Sequence, residues 1–228
     1  MINRIISASA ALAVAVGFTS APAPADGASR CPPPERRSEI SLSKNLGTMV
    51  FDTGHSRQQL RRLKESRSRS RVGAGWVPIG LTLTEIRLQM NIRINAKSDG
   101  HGRFCASLDS VNASIGYDKL TVYVAREYRR GSCQYNSIVG HERGHVAIFR
   151  ETLTRYIPRI EGRLRRTAAR QGTISVRTPK QGANRMQRNL EREMEPLFRE
   201  INRALDRANA RLDTPQNYQR EQANCSSW

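Results

Sequence analysis

From Leu83 to Asn95 the chain alternates, with Ile86, Leu88, Met90, Ile92 and Ile94 apolar and mostly polar residues between them. That is the two-residue period of a strand with one face buried. The run KSDGHG follows as a turn, and residues 103–115 and 119–128 predict two further strands separated by a turn at Gly116–Asp118. Three neighbouring strands with short connections predict an antiparallel sheet. After Cys133 the period becomes helical. Ile138, His145, Phe149, Leu153, Tyr156, Ile160 and Leu164 fall on one face of a helix predicted from about Asn136 to about Arg170. Residues 171–182 carry Gly and Pro breakers. A second amphipathic helix then follows, with Leu190, Met194, Leu197, Ile201, Leu205 and Leu212 on its stripe, a kink expected at Pro196, and an end at Asp213-Thr214-Pro215. Two long helices joined by a short connection should pack antiparallel.

The first 75 residues have a different texture. Met1–Arg4 gives a positive start, IISASAALAVAVGF an apolar run and APAPA a small-residue cleavage site, so residues 1–25 are expected to be a signal peptide. Residues 26–75 are expected to form an irregular basic region. It opens with DGASRCPPPERR and contains a possible short helix from Arg57 that decays into a Ser-Arg tract. Residues 76–228 make the expected domain. No later segment could cross a bilayer, and the expected location is periplasmic or secreted.

The chain has 228 residues, and its formal charge of +18 comes almost entirely from arginine. Such a field attracts polyanions without choosing among them. An anionic envelope surface is one candidate partner; specific nucleic-acid binding is not expected, because no recognition motif accompanies the charge. Four cysteines in an exported chain point to two disulfides. The expected pairs are Cys105 with Cys133 and Cys31 with Cys225.

The chemistry concentrates in SIVGHERGHVAIF, 137–149. His141 and His145, four apart on a helix, can present two imidazoles to one ion, and Glu142 beside the first can take a proton from a water that the metal acidifies. Gly144 inside the helix costs up to about 1 kcal/mol relative to Ala, which implies that a neighbour needs the space. A catalytic zinc usually takes three protein ligands, and neither a third histidine nor a glutamate follows at the customary spacings. If the helix pair turns near Arg177, His145 lies level with about Asn209 and His141 with about Asp213. Asp213 is therefore the candidate third metal ligand.

The strands, Cys105 in the middle one, HExGH at the start of a long helix (His141, Glu142, Gly144, His145) and an Asp after a second helix resemble the bacterial predicted secreted zinc-dependent proteases, a family catalogued as a domain of unknown function. The resemblance spans roughly Trp76 to Tyr218. In that family the stretch after the Asp usually goes on to a histidine, whereas this chain has Tyr218 there, a substitute ligand or an oxyanion hydrogen-bond donor.

The expected fold is α+β and zincin-like: a small antiparallel sheet followed by an active-site helix and a second long antiparallel helix. The expected function is hydrolysis of peptide bonds in a protein or peptide substrate, with Zn2+ on His141, His145 and Asp213 and with Glu142 as general base. Two other readings are a non-catalytic basic envelope protein that binds anionic polymers, and a cell-wall peptide amidase using the same site.

Overall fold

The computed structural model describes residues 31–67 and 77–228, together with the backbone of Ile5–Ala8. The remainder of the expected signal peptide and most of the Ser-Arg tract lie outside the described residues. The fold is α+β. Its sheet centres on two long antiparallel strands, β3 (Gly80–Ser98) and β4 (Phe104–Val124). On the far side of β4 run β2 (Glu39–Asp52), parallel to it over Ser110–Tyr123, and the short β5 (Thr173–Val176), antiparallel to it over Phe104–Ser107. On the far side of β3 lies β1 (Ile5–Ala8), parallel to Arg87–Met90. The sheet is therefore mixed, not purely antiparallel. Among the described residues, β3 between Gly80 and Thr84 has a strand partner only on its β4 side.

One strand stands where the alternation predicts two. Residues 104–124 run through Gly116–Asp118 without turning, and the break in alternation is a register shift opposite Thr84–Ile86, a bulge that lets the inward face pass from Tyr117 to Leu120. Gly116 serves a close approach here: a Cβ at that position would lie 1.8 Å from the carbonyl oxygen of Asn45 on β2. Glu39–Asp52, inside the segment expected to be irregular, forms an edge strand, and Ile40, Leu42, Leu46, Met49 and Phe51 on it pack half-buried against the core. Next along the chain, α1 (Arg57–Arg67) is pinned by the fully buried Leu60.

Helix α2 spans Cys133–Gln171 and α3 spans Pro179–Leu212. Ser132 caps the first, accepting from the Tyr135 amide at 3.2 Å, and Thr178 followed by Pro179 starts the second. Pro196 lies inside α3, which continues past it. The pairs Tyr156–Glu200 and Gln171–Met186 show that the helices run antiparallel. The face of α2 predicted from its period is the buried one, together with Leu190, Met194, Leu197, Ile201 and Leu205 of α3. These side chains meet Ile86, Leu88, Met90, Ile92 and Ile94 of β3 in one core.

Thr214 and Pro215 begin a further helix, α4 (Pro215–Gln222), and do not simply end α3. The disulfides are Cys31–Cys105 and Cys133–Cys225, which corrects the expected pairing. The register explains the exchange. Because β2 runs parallel to β4, with Glu39 opposite Ser110, the segment before β2 reaches the start of β4; α4 returns the chain to the first turn of α2, where Cys225 meets Cys133. No helix among the described residues is long and apolar enough to cross a membrane.

Candidate metal and catalytic site

The two histidines of α2 face the end of α3. His141 Nε2 and His145 Nε2 are 3.2 Å apart, and each lies 3.1 Å from Oδ1 of Asp213, the C-cap of α3. The other ring nitrogens have partners that accept hydrogen bonds: Nδ1 of His141 lies 2.9 Å from Glu221 Oε2 on α4, and Nδ1 of His145 lies 2.9 Å from Asn209 Oδ1 on α3. These contacts assign the ring protons to Nδ1 and leave both Nε2 lone pairs aimed at one point. When the imidazoles are neutral, two nitrogens and a carboxylate oxygen converge with no proton among them.

That arrangement suits a cation. Ligands bound at about 2.0–2.1 Å in a tetrahedron are separated by about 3.3–3.4 Å, close to the 3.1–3.2 Å sides of this triangle. His141, His145 and Asp213 could therefore hold a metal ion. Around them, the Tyr218 hydroxyl donates to Asp213 Oδ1 at 2.6 Å while its ring stacks on His141. Asn217 Nδ2 donates to Glu221 Oε1 at 2.9 Å, fixing the carboxylate that orients His141.

The electrostatics of the metal-free group agree. Burial drives the His141 pKa down, but the hydrogen bond to Asp213 and the charges of Glu142 and Glu221 outweigh it, and the value stands at about 9. His145 is raised against its own burial by Asp213 and Glu142. Asp213 is lowered, its burial overcome by hydrogen bonds from His141, His145 and Tyr218. Without a cation, the cluster holds protons in its place.

Glu142 projects to the neighbouring side of α2. Its side chain is buried, and Oε2 accepts from the Thr82 hydroxyl at 2.7 Å. Gly80 makes the room, since a Cβ there would lie 2.5 Å from Glu142 Oε1. Burial raises the pKa of Glu142, and the histidine charges and the Thr82 hydrogen bond only partly oppose this. Gly144 has the role inferred from its position: a Cβ would lie 2.9 Å from Cδ2 of Leu212, so the missing side chain lets the end of α3 close on α2.

His141, Glu142, His145 and Asp213 all line one open cleft of about 910 Å3, together with Gly80–Leu83 of β3 and with Tyr218. The four sequence-predicted residues are thus brought together. The chain's other two histidines are not among the lining residues: His55 pairs with Asp52 and His101 sits exposed in the turn after β3. Glu200 lies level with Tyr156, about three turns along α2 from His145, and is engaged by Tyr156 and Arg159. The sequence reading missed Glu221, Thr82 and Gly80. The spacing of Asn217 and Glu221, four apart after a Thr-Pro helix start, is the one signal that could have pointed to α4. No family model, curated protein or solved structure matches the chain.

Proposed function

We propose that the protein is a zinc-dependent metallopeptidase of the zincin type, as its resemblance to the secreted zinc-dependent proteases implies. The observation that carries this reading is the convergence of His141 Nε2, His145 Nε2 and Asp213 Oδ1 within 3.2 Å of one another, in the same cleft as a buried glutamate. Two imidazoles and one carboxylate are a donor set that Zn2+ accepts. When bound, the ion would supply Lewis acidity, acidifying water and polarising a carbonyl.

The rest is the work of the chain's own groups. Glu221 and Asn209 hold the two imidazoles in the tautomer that offers Nε2. Glu142, whose pKa is raised by burial, would accept the proton of the attacking water and pass it to the leaving amine. Thr82 fixes its carboxylate for that task. Tyr218 stands beside the ligands, and its hydroxyl, which donates to Asp213 Oδ1, would have to turn from that bond to donate to the oxygen of the scissile carbonyl. Among the described residues no strand pairs with β3 at Gly80–Thr84 on the side away from β4, and that edge would favour an extended peptide as substrate, because a peptide can add there as a strand.

The deciding experiment is Glu142→Gln. The variant should lose peptide hydrolysis while retaining about one equivalent of zinc, since the metal is held by other residues. Undiminished turnover in this variant would overturn the assignment of the base, and a wild-type chain purified with zinc that contains none would overturn the metal site.

A further inference from the structure

The cleft carries charge of both signs. Its lining takes Asp206, Asp213 and Glu221 from α3 and α4, and Arg57, Lys64 and Arg67 from α1. Their spacings of seven and three put the three cations on one side of α1, and the buried Leu60 in the same stripe fixes that side towards the body of the protein. Arg57 and Arg67 are exposed, and among the described residues no carboxylate forms an ion pair with either guanidinium. Glu127, beside Arg57, accepts the Arg57 backbone N–H at 3.0 Å. β3 contributes Gly80–Leu83 to the same cleft, a stretch that among the described residues has a strand partner only on its β4 side.

We propose that this cleft selects peptides bearing acidic side chains, with Arg57 and Arg67 as the specificity-determining residues. The proposal rests on the metallopeptidase reading for the substrate being a peptide. A chain laid along β3 would lie in a cleft that both charged groups line. An acidic side chain turned towards α3 and α4 meets like charge on the exposed Asp206 and the partly exposed Glu221; turned towards α1 it meets two guanidiniums that no carboxylate among the described residues engages, and these can take a carboxylate through paired N–H donors. A basic side chain gains nothing beside α1. Charge in the cleft lining thus fixes both which residues are accepted and which way they point.

The test uses the full chain with Glu142→Gln, purified with zinc, so that binding is read without cleavage. Three fluorescein-labelled peptides share one apolar frame and differ only in a central Glu-Glu, Gln-Gln or Lys-Lys, and binding is followed by fluorescence anisotropy at physiological salt. The Glu-Glu peptide should bind about fivefold tighter than the Gln-Gln peptide, the scale that two exposed charge pairs supply. Adding Arg57→Glu and Arg67→Glu should abolish that preference and favour Lys-Lys. Arg207→Glu with Arg211→Glu removes the same charge from a separate groove between α2 and α3 and should leave the preference in place. That control is needed because a chain of net charge +18 attracts any acidic peptide.

Equal binding of all three peptides, or no binding of any, overturns the proposal. So does an equal loss of preference in the distal pair, which would make the preference a property of the overall field. Failure of the peptidase reading shows separately: zinc-loaded wild type would cleave none of the three peptides, whatever the order in which they bind.

Discussion

Glu221 accepts a hydrogen bond from Nδ1 of His141 at 2.9 Å, across 80 residues of sequence. The contact fixes which nitrogen of His141 faces Asp213, and it raises the basicity of the ring that would bind a cation. Glu221→Ala should therefore weaken zinc binding by about 10- to 100-fold, the usual cost of removing such a partner. Competition with a chromophoric chelator measures it. Glu221→Gln, which still accepts from Nδ1–H, should lose less than Glu221→Ala; equal losses would mean that the carboxylate acts on the overall fold and not on the ring.

Gly80→Ala tests the seat of the proposed general base, Glu142. The added methyl would lie 2.5 Å from Glu142 Oε1 and 2.7 Å from Ile138 Cγ2, so the carboxylate must move. Overpacking of this kind costs about 1–3 kcal/mol. The melting temperature should fall accordingly, zinc content should hold, and kcat should drop by at least about tenfold, as positioned proton transfer is lost. Normal kcat with a lowered melting temperature would show that Glu142 tolerates displacement.

Acidity should weaken the metal site. In the metal-free protein the His141 pKa is raised from 6.5 to about 9, so its charged form is held more tightly folded than unfolded. That contribution to stability is complete below pH 6.5 and is lost as pH rises through about 9. A bound cation needs the neutral ring, so protons compete with it. The rise in melting temperature on adding zinc should be small at pH 6 and larger at pH 8.5; a rise independent of pH would place the ion elsewhere.

The disulfides separate stability from site assembly. Their sequence separations are 74 and 92 residues, so chain entropy gives the two crosslinks nearly equal contributions, about 4–5 kcal/mol each in that model. Cys31→Ser with Cys105→Ser and Cys133→Ser with Cys225→Ser should lower stability by similar amounts in urea titrations. Only the second pair releases α4, which carries Tyr218 and Glu221, from the first turn of α2. Zinc affinity should fall in that variant and hold in the other.

The helix hairpin is legible in the sequence because its apolar period persists over many turns, and equal distances from Arg177 suffice to place Asp213 against His141 and Asn209 against His145. The sheet is harder to read. β2 is an edge strand whose inward residues are only half buried, so its composition is mixed, and its parallel pairing to β4 leaves no local trace. The disulfide pairing depends on that register and is lost with it. At Gly116 a glycine required by the Asn45 backbone looks like a turn. Glu221 lies on an eight-residue helix with no buried residue, so no period marks the face that meets His141. Gly80 and Thr82 become meaningful only once β3 is known to pass beneath Glu142.

The donors that converge on one point come from positions up to 72 residues apart, and each imidazole takes its orientation from a different helix, Glu221 on α4 and Asn209 on α3. The centre is thus poorly portable. Grafting HERGH onto a foreign scaffold would carry both rings but leave behind the carboxylate that completes the triangle and every group that fixes which nitrogen faces inward. A faithful transplant has to bring the hairpin, its terminal helix and the crosslink that fastens them.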